Sequence, residues 1–389
     1  MAESLVNAHA VGPGTNRWWL HRLVMEPLLP GAESERARRA LREIARLGSL
    51  DSRSRHDREA TGWRRGEAAL LEFLERQGLT AFWHEMLKEK ELEDEVSSEF
   101  FQALRRRRVG MTANYLMQRH HLDRLRGLFD EAGIVHLFFK GGHVRERIHG
   151  EPSLRDASDL DVLISSKDRA RAVGLLVEQG YTLFANPKNL SHEVTLLGQG
   201  GVIDLHWDLL RPGRTRVPLA DDFLATRKDF GSHWGPDDSA ALFLLLVHPV
   251  FTKYVTTPQS PLMRALDLYW WLERVAVEWD EVLTWLDRAG LRTAAWITLR
   301  WLALFGDPQV PMAVWQKLRP GRLRSAWLEW WVAEDLSSRW LHRPWVVQGA
   351  FTLPAHDRVG DALRALRMRH LAGNRVMVEA SVLDGKDHD

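Results

Sequence analysis

Lys140-Gly141-Gly142 follows directly on the apolar run VHLFF, and Asp159 and Asp161 stand one residue apart at the mouth of a second run, LDVLI. A strand that ends in Lys-Gly-Gly and feeds a helix (HVRERIH) leaves unpaired backbone N–H groups at the helix N-terminus, where the dipole favours an anion. Glycine lets a phosphate approach the backbone closely. Lys140 can add a point charge to that phosphate. A plain tight turn uses the same residues, so Gly141 and Gly142 alone do not decide the matter. Asp159 and Asp161 project to one face of a strand while Leu160, Val162 and Ile164 project to the other. Two like charges about 6–7 Å apart at Cα repel unless a cation lies between them. Hard oxygen ligands at this spacing suit Mg²⁺, which keeps several waters and shares its other positions with phosphates. A third carboxylate, Asp204, sits mid-strand in VIDLHW, where it needs either a cation or an arginine partner. His206, two residues on, shares its face.

These residues must be held by elements whose periods differ along the chain. ESERARRALREIARLG carries Ala37, Leu41, Ile44 and Leu47 at helical spacing and closes on Gly48. The longest helical pattern ends at Gly133, with Leu116, Leu122, Leu125 and Leu128 as its apolar stripe. Strands are expected at Val135–Phe139, Leu160–Ile164, His192–Leu197 and Val202–Trp207, the last two joined as a hairpin by the glycine-containing break between them. An amphipathic helix, KDRARAVGLLVEQG, lies between the second and third strands. From about Asp237 the pattern is helical again and rich in tryptophan. The expected architecture is α/β (α+β): a small mixed-sheet domain at 113–235 between an N-terminal helical region at 17–112 and a C-terminal helical domain at 236–383, with a flexible lead-in at 1–16 and a disordered tail at 384–389.

The composition narrows the chemistry. The 389 residues include 53 Lys plus Arg against 52 Asp plus Glu, so no global field points to nucleic acid or to an anionic membrane. Cysteine is absent, which rules out disulfides, thiol catalysis and thiolate metal sites. The first residues lack a basic segment followed by an apolar one, and the most apolar stretch, Ala240 to Phe251, is shorter than the roughly 20 residues a bilayer span takes; a cytoplasmic location is expected. There is no Walker A lysine pattern, no second histidine to make HEVTL a zinc-protease helix, and no Gly-x-Ser-x-Gly elbow. The run Arg105 to Arg108 reads as a solvated helix face. His248 reads as a buried histidine, and Arg264 with Asp267 as an i,i+3 pair.

Gly141-Gly142, a helix, an Asp-x-Asp strand and a later strand aspartate resemble the nucleotidyltransferase superfamily related to DNA polymerase β. More narrowly, FFKGGHVRERIHGEPSLRDASDLDVLI followed by IDLHW resembles an uncharacterised bacterial nucleotidyltransferase family, with Lys140, Gly141, Pro152, Arg155, Asp159, Asp161, Asp204, His206 and Trp207 on the pattern. His149 stands where that family more often has tyrosine, and Val144 where it has leucine. The resemblance implies a nucleoside triphosphate substrate, two Mg²⁺ ions (or Mn²⁺) and release of pyrophosphate. It implies that Asp159, Asp161 and Asp204 are catalytic and hold metal, with Lys140, Gly141, Gly142 and Arg155 against the phosphates and His206 orienting Asp204 or a metal-bound water. The group transferred is expected to be NMP, with AMP first, and the acceptor a hydroxyl of a small molecule, peptide or protein. Two other functions are open to the same motifs: a non-catalytic, antitoxin-like nucleotide- or protein-binding module, and an RNA-end or tRNA nucleotidyltransferase, which the near-neutral charge disfavours.

Overall fold

The computed structural model describes residues 18–49, 58–184, 192–198, 200–252, 255 and 261–368; the expected lead-in and tail lie outside them. Helices α1 (Trp19–Met25), α2 (Ser34–Ser49), α3 (Arg58–Gln77) and α4 (Thr80–Glu89) precede a 34-residue helix, α5 (Ser98–Glu131). Ser97 starts α5 by accepting a hydrogen bond from the Phe100 amide at 3.2 Å, satisfying one of the donors a helix leaves orphaned. Then come β1 (His136–Phe139), α6 (Lys140–Ile148), β2 (Leu160–Ile164), α7 (Arg169–Glu178), β3 (Thr182–Phe184), β4 (Glu193–Gly198) and β5 (Gly201–His206). A short helix, α8 (Ala220–Ala225), and a two-stranded ribbon, β6 (Lys228–Asp229) with β7 (Trp234–Gly235), lead into the last group of helices. These include α9 (Asp238–Thr252), α10 (Pro261–Arg274), α11 (Trp279–Ala289), α12 (Arg292–Leu302), α13 (Met312–Leu318) and α14 (Arg322–Ala333).

Five strands form one mixed sheet in the order β1-β2-β5-β4-β3. β2 runs parallel to β5, and the other neighbours are antiparallel. The expected hairpin is β4–β5, closing with Gly198 opposite Gly201. β3 was not foreseen: it is three residues long and partly exposed, so it lacks a buried apolar run.

Each face of the sheet covers its own core. Phe138, Leu160, Val162, Ile164, Val194, Ile203 and Leu205 point to one side, where Leu122, Leu125 and Phe129 of α5 and Ala172 and Leu176 of α7 meet them. Leu137, Phe139 and Leu163 point to the other side, into a core shared with the helices before and after the sheet. Trp271, Trp296 and Trp301 are buried there, so these tryptophans of the late helices are packing residues. In α5 the stripe runs through Leu122, Leu125 and Phe129, whereas Leu116 is 60% exposed; the expected stripe was too long by one position. No helix among the described residues is long and apolar enough to cross a membrane.

The register decides where the acids go. Val162, Ile203 and Leu205 are fully buried, and each such side chain stabilises the fold by about 1.5–3 kcal/mol. A slip of one residue would turn them onto the face that now carries the acids and drive Asp161 and Asp204 into the apolar core beneath α5 and α7.

Candidate active site

Asp161 is directly opposite Asp204 in the parallel pairing of β2 with β5. Phe139 is opposite Asp161 on one side and Thr195 opposite Asp204 on the other, so one row across the sheet reads Phe139, Asp161, Asp204, Thr195. The next row on the same face reads Leu137, Leu163, His206, Glu193. Donor atoms of Asp161, Asp204 and His206 all lie within 4.8 Å of one another. Asp159 sits just before β2 and outside that group; its Oδ1 accepts a hydrogen bond from the Ser158 hydroxyl at 3.1 Å.

Lys140 bonds directly to this acidic row. Lys140 takes a left-handed backbone, φ +51°, unusual for a residue with a side chain, and its ammonium reaches Asp161 Oδ1 at 2.6 Å and His206 Nε2 at 3.2 Å. Burial works against the charged lysine, but Asp161 and Glu193 outweigh it and its pKa rises. The carboxyls are still in excess. Burial, together with Asp161 and Asp159 and against the Thr195 hydrogen bond, pushes Asp204 up to about 6. Burial and Asp161 raise Asp159. Burial, with Asp204 and Asp161 adding to it, pushes Glu193 up to about 7. Carboxyls crowded at this range accommodate a further cation readily, and the oxygen-rich pair Asp161–Asp204 is the kind of donor set that Mg²⁺ accepts.

A family model described as an uncharacterised nucleotidyltransferase matches residues 65–307, from within α3 to just past α12. The chain belongs to that family. No curated protein matches it. Membership makes the protein a transferase and implies a nucleoside triphosphate as one of its substrates.

In this nucleotidyltransferase the remaining residues singled out from the sequence are distributed unevenly. Arg155 donates from Nη2 to Asp267 Oδ2 at 2.9 Å and from Nε to both Asp267 oxygens at 3.2 and 3.3 Å. Its Nη1 bonds the Asp156 carbonyl at 2.8 Å. The guanidinium lies against Gly141, where a Cβ would collide with it. Gly142 has ordinary clearance, with Leu160 at 3.6 Å from a Cβ placed there. Asp267, on α10, also lies 3.4 Å from His149 Nε2, and it pairs with Arg155, a partner the sequence spacing did not indicate. Arg264, one turn earlier on α10, has its pKa lowered to about 10, chiefly by burial and partly offset by Asp267. Of the four arginines from Arg105, Arg108 is buried and bonds Glu85, Thr112 and Glu151, while Arg105, Arg106 and Arg107 are exposed.

Three polar residues beside the acids were not read from the sequence: Thr195, whose hydroxyl donates to Asp204 Oδ1 at 2.6 Å, Glu193 and His192. The signal was present. A hairpin closing at Gly198 and Gly201 places Thr195 opposite Asp204 and Glu193 opposite His206, so HEVTLL was already a polar face for the site.

Proposed function

We propose that this nucleotidyltransferase moves NMP, with AMP as the leading candidate, from a nucleoside triphosphate to a hydroxyl of a small molecule, peptide or protein. The observation that carries the reading is the register pairing of Asp161 with Asp204, which sets two carboxylates side by side on one face with His206 within donor reach. Asp159, Asp161 and Asp204 would hold Mg²⁺. When bound, the metal would supply charge neutralisation for the triphosphate and acidify the acceptor hydroxyl.

In the reaction the acceptor oxygen forms a bond to the α-phosphorus, the bond from that phosphorus to the β-phosphate oxygen breaks, and pyrophosphate leaves with the electron pair. Asp204 would take the hydroxyl proton on Oδ2, since Oδ1 accepts the Thr195 hydrogen bond. Lys140 is the cation nearest the carboxylates, and a triphosphate would compete with Asp161 for its ammonium. Arg155 acts from behind, holding the segment that leads into β2 through Asp267 and filling the space beside Gly141.

Mixing the purified protein with ATP, Mg²⁺ and host lysate, then surveying the mixture by mass spectrometry, tests the proposal. A species heavier by one nucleotide, absent when Asp161→Ala replaces the wild type, names donor and acceptor together. No such species with any of the four nucleotides would overturn it.

A further inference from the structure

We infer that His192, Glu193 and His206 form a separate metal site for a borderline divalent cation, Zn²⁺ first, beside the Asp161–Asp204 pair and joined to it through the two nitrogens of His206. The inference goes beyond nucleotidyl transfer and does not depend on it.

The donor atoms of the three residues lie within 4.8 Å of one another. Glu193 Oε2 stands 3.4 Å from His192 Nε2 and 3.1 Å from His206 Nδ1. Two zinc bonds of about 2.0–2.1 Å at a tetrahedral angle hold their ligand atoms about 3.3 Å apart, and both separations match that edge. His192 and His206 are 4% and 0% exposed.

The second observation is the state of His206. Its Nε2 lies 2.9 Å from Asp161 Oδ1, to which a ring N–H can donate, and 3.2 Å from the Lys140 ammonium. Its Nδ1 is buried and makes no hydrogen bond, although the Glu193 oxygen is only 3.1 Å away. In the tautomer that carries the proton on Nε2, Nδ1 turns a lone pair toward a carboxylate oxygen. A metal ion accepts both lone pairs at this separation. The arrangement is also the usual one for a ligating histidine, which gives its other N–H to a carboxylate.

The chemistry of the donors selects the metal. Two imidazoles with one carboxylate suit Zn²⁺ and leave a position open, whereas Mg²⁺ and Ca²⁺ take oxygen. Lys140 and Arg211 are the nearby cations, and Asp161, Asp204 and Glu193 outnumber them. A cation here would fix the ring of His206 and, through Nε2, the orientation of Asp161, making the site a positioning device for the acidic row.

The test uses the full chain, stripped with chelator and titrated with Co²⁺ and then Zn²⁺. Visible Co²⁺ absorption of a low-coordinate nitrogen–oxygen site, displaced by about one equivalent of Zn²⁺ per chain, is expected. His192→Ala and the near-isosteric Glu193→Gln should each weaken Zn²⁺ binding by at least about 10-fold with circular dichroism unchanged, while Asp204→Asn should keep it. Absence of the Co²⁺ band and of retained Zn²⁺ would overturn the inference. So would equal Zn²⁺ affinity in Glu193→Gln and wild type, or a loss in Asp204→Asn as large as that in His192→Ala, which would put the metal on the carboxylate pair.

Discussion

Asp267→Asn probes how the site is supported from behind. Asp267 is 1% exposed, and its two oxygens take three contacts from the Arg155 fork and one from His149. Removing one member of a buried ion pair costs about 3–5 kcal/mol, because the surviving charge stays desolvated. Asparagine keeps the shape and one acceptor oxygen, so a loss near 3 kcal/mol is expected, which corresponds to roughly 4 °C in melting temperature for a chain of this length. The pH dependence has a definite sign. Burial raises the Asp267 carboxyl, but Arg155 and His149 outweigh it and the net shift is downward. The stabilisation is therefore complete above the unfolded carboxyl value of about 3.9 and is lost only as pH falls through the lower folded value. Urea unfolding followed by tryptophan fluorescence should show a constant gap between wild type and Asp267→Asn from pH 5 to 8, closing below about pH 4. Arg155→Lys should lose less than Asp267→Asn, since it keeps the charge but not the fork. A difference under about 1 kcal/mol at pH 7, or a gap that closes between pH 5 and 7, would refute the reasoning.

Gly141→Ala must displace the Arg155 guanidinium and should destabilise by about 1–3 kcal/mol, whereas Gly142→Ala, with Leu160 at 3.6 Å, should be neutral or stabilising by up to about 1 kcal/mol; equal costs by urea unfolding would contradict the assigned contact. Lys140→Asn keeps a residue that tolerates the left-handed backbone but removes the cation from Asp161. It should destabilise the metal-free protein by about 1.5–3 kcal/mol, and Mg²⁺ should recover more stability in the variant than in the wild type. Equal responses to Mg²⁺ in thermal melts would mean that Lys140 is not the counter-ion of the acidic row.

The legible parts of this protein are those whose signal is local. LDVLI reads as a strand because it is buried on both faces, and the structure places β2 over the same five residues. β1, β4 and β5 fall within one residue of their expected starts, since each mixes apolar runs with a glycine break. That Asp161 faces Asp204 was not readable, because it depends on β2 and β5 becoming parallel neighbours with a helix and two further strands between them in the chain. Glu193 and Thr195 could have been found from the hairpin register alone. The partnership of Arg155 with Asp267 could not, since it joins residues 112 positions apart and nothing near either one announces the other. Leu116 illustrates the opposite error: helical spacing extended a stripe past the point where the sheet ends and solvent begins.

Transfer of label from a nucleoside triphosphate, measured side by side in wild type, Asp161→Ala and Asp204→Asn with and without Mg²⁺, bears most directly on the acidic row. Metal-dependent labelling in the wild type, with near-complete loss in both variants and unchanged circular dichroism, is the expected result. Labelling by both folded variants at the wild-type rate would show that the facing carboxylates do not run the reaction.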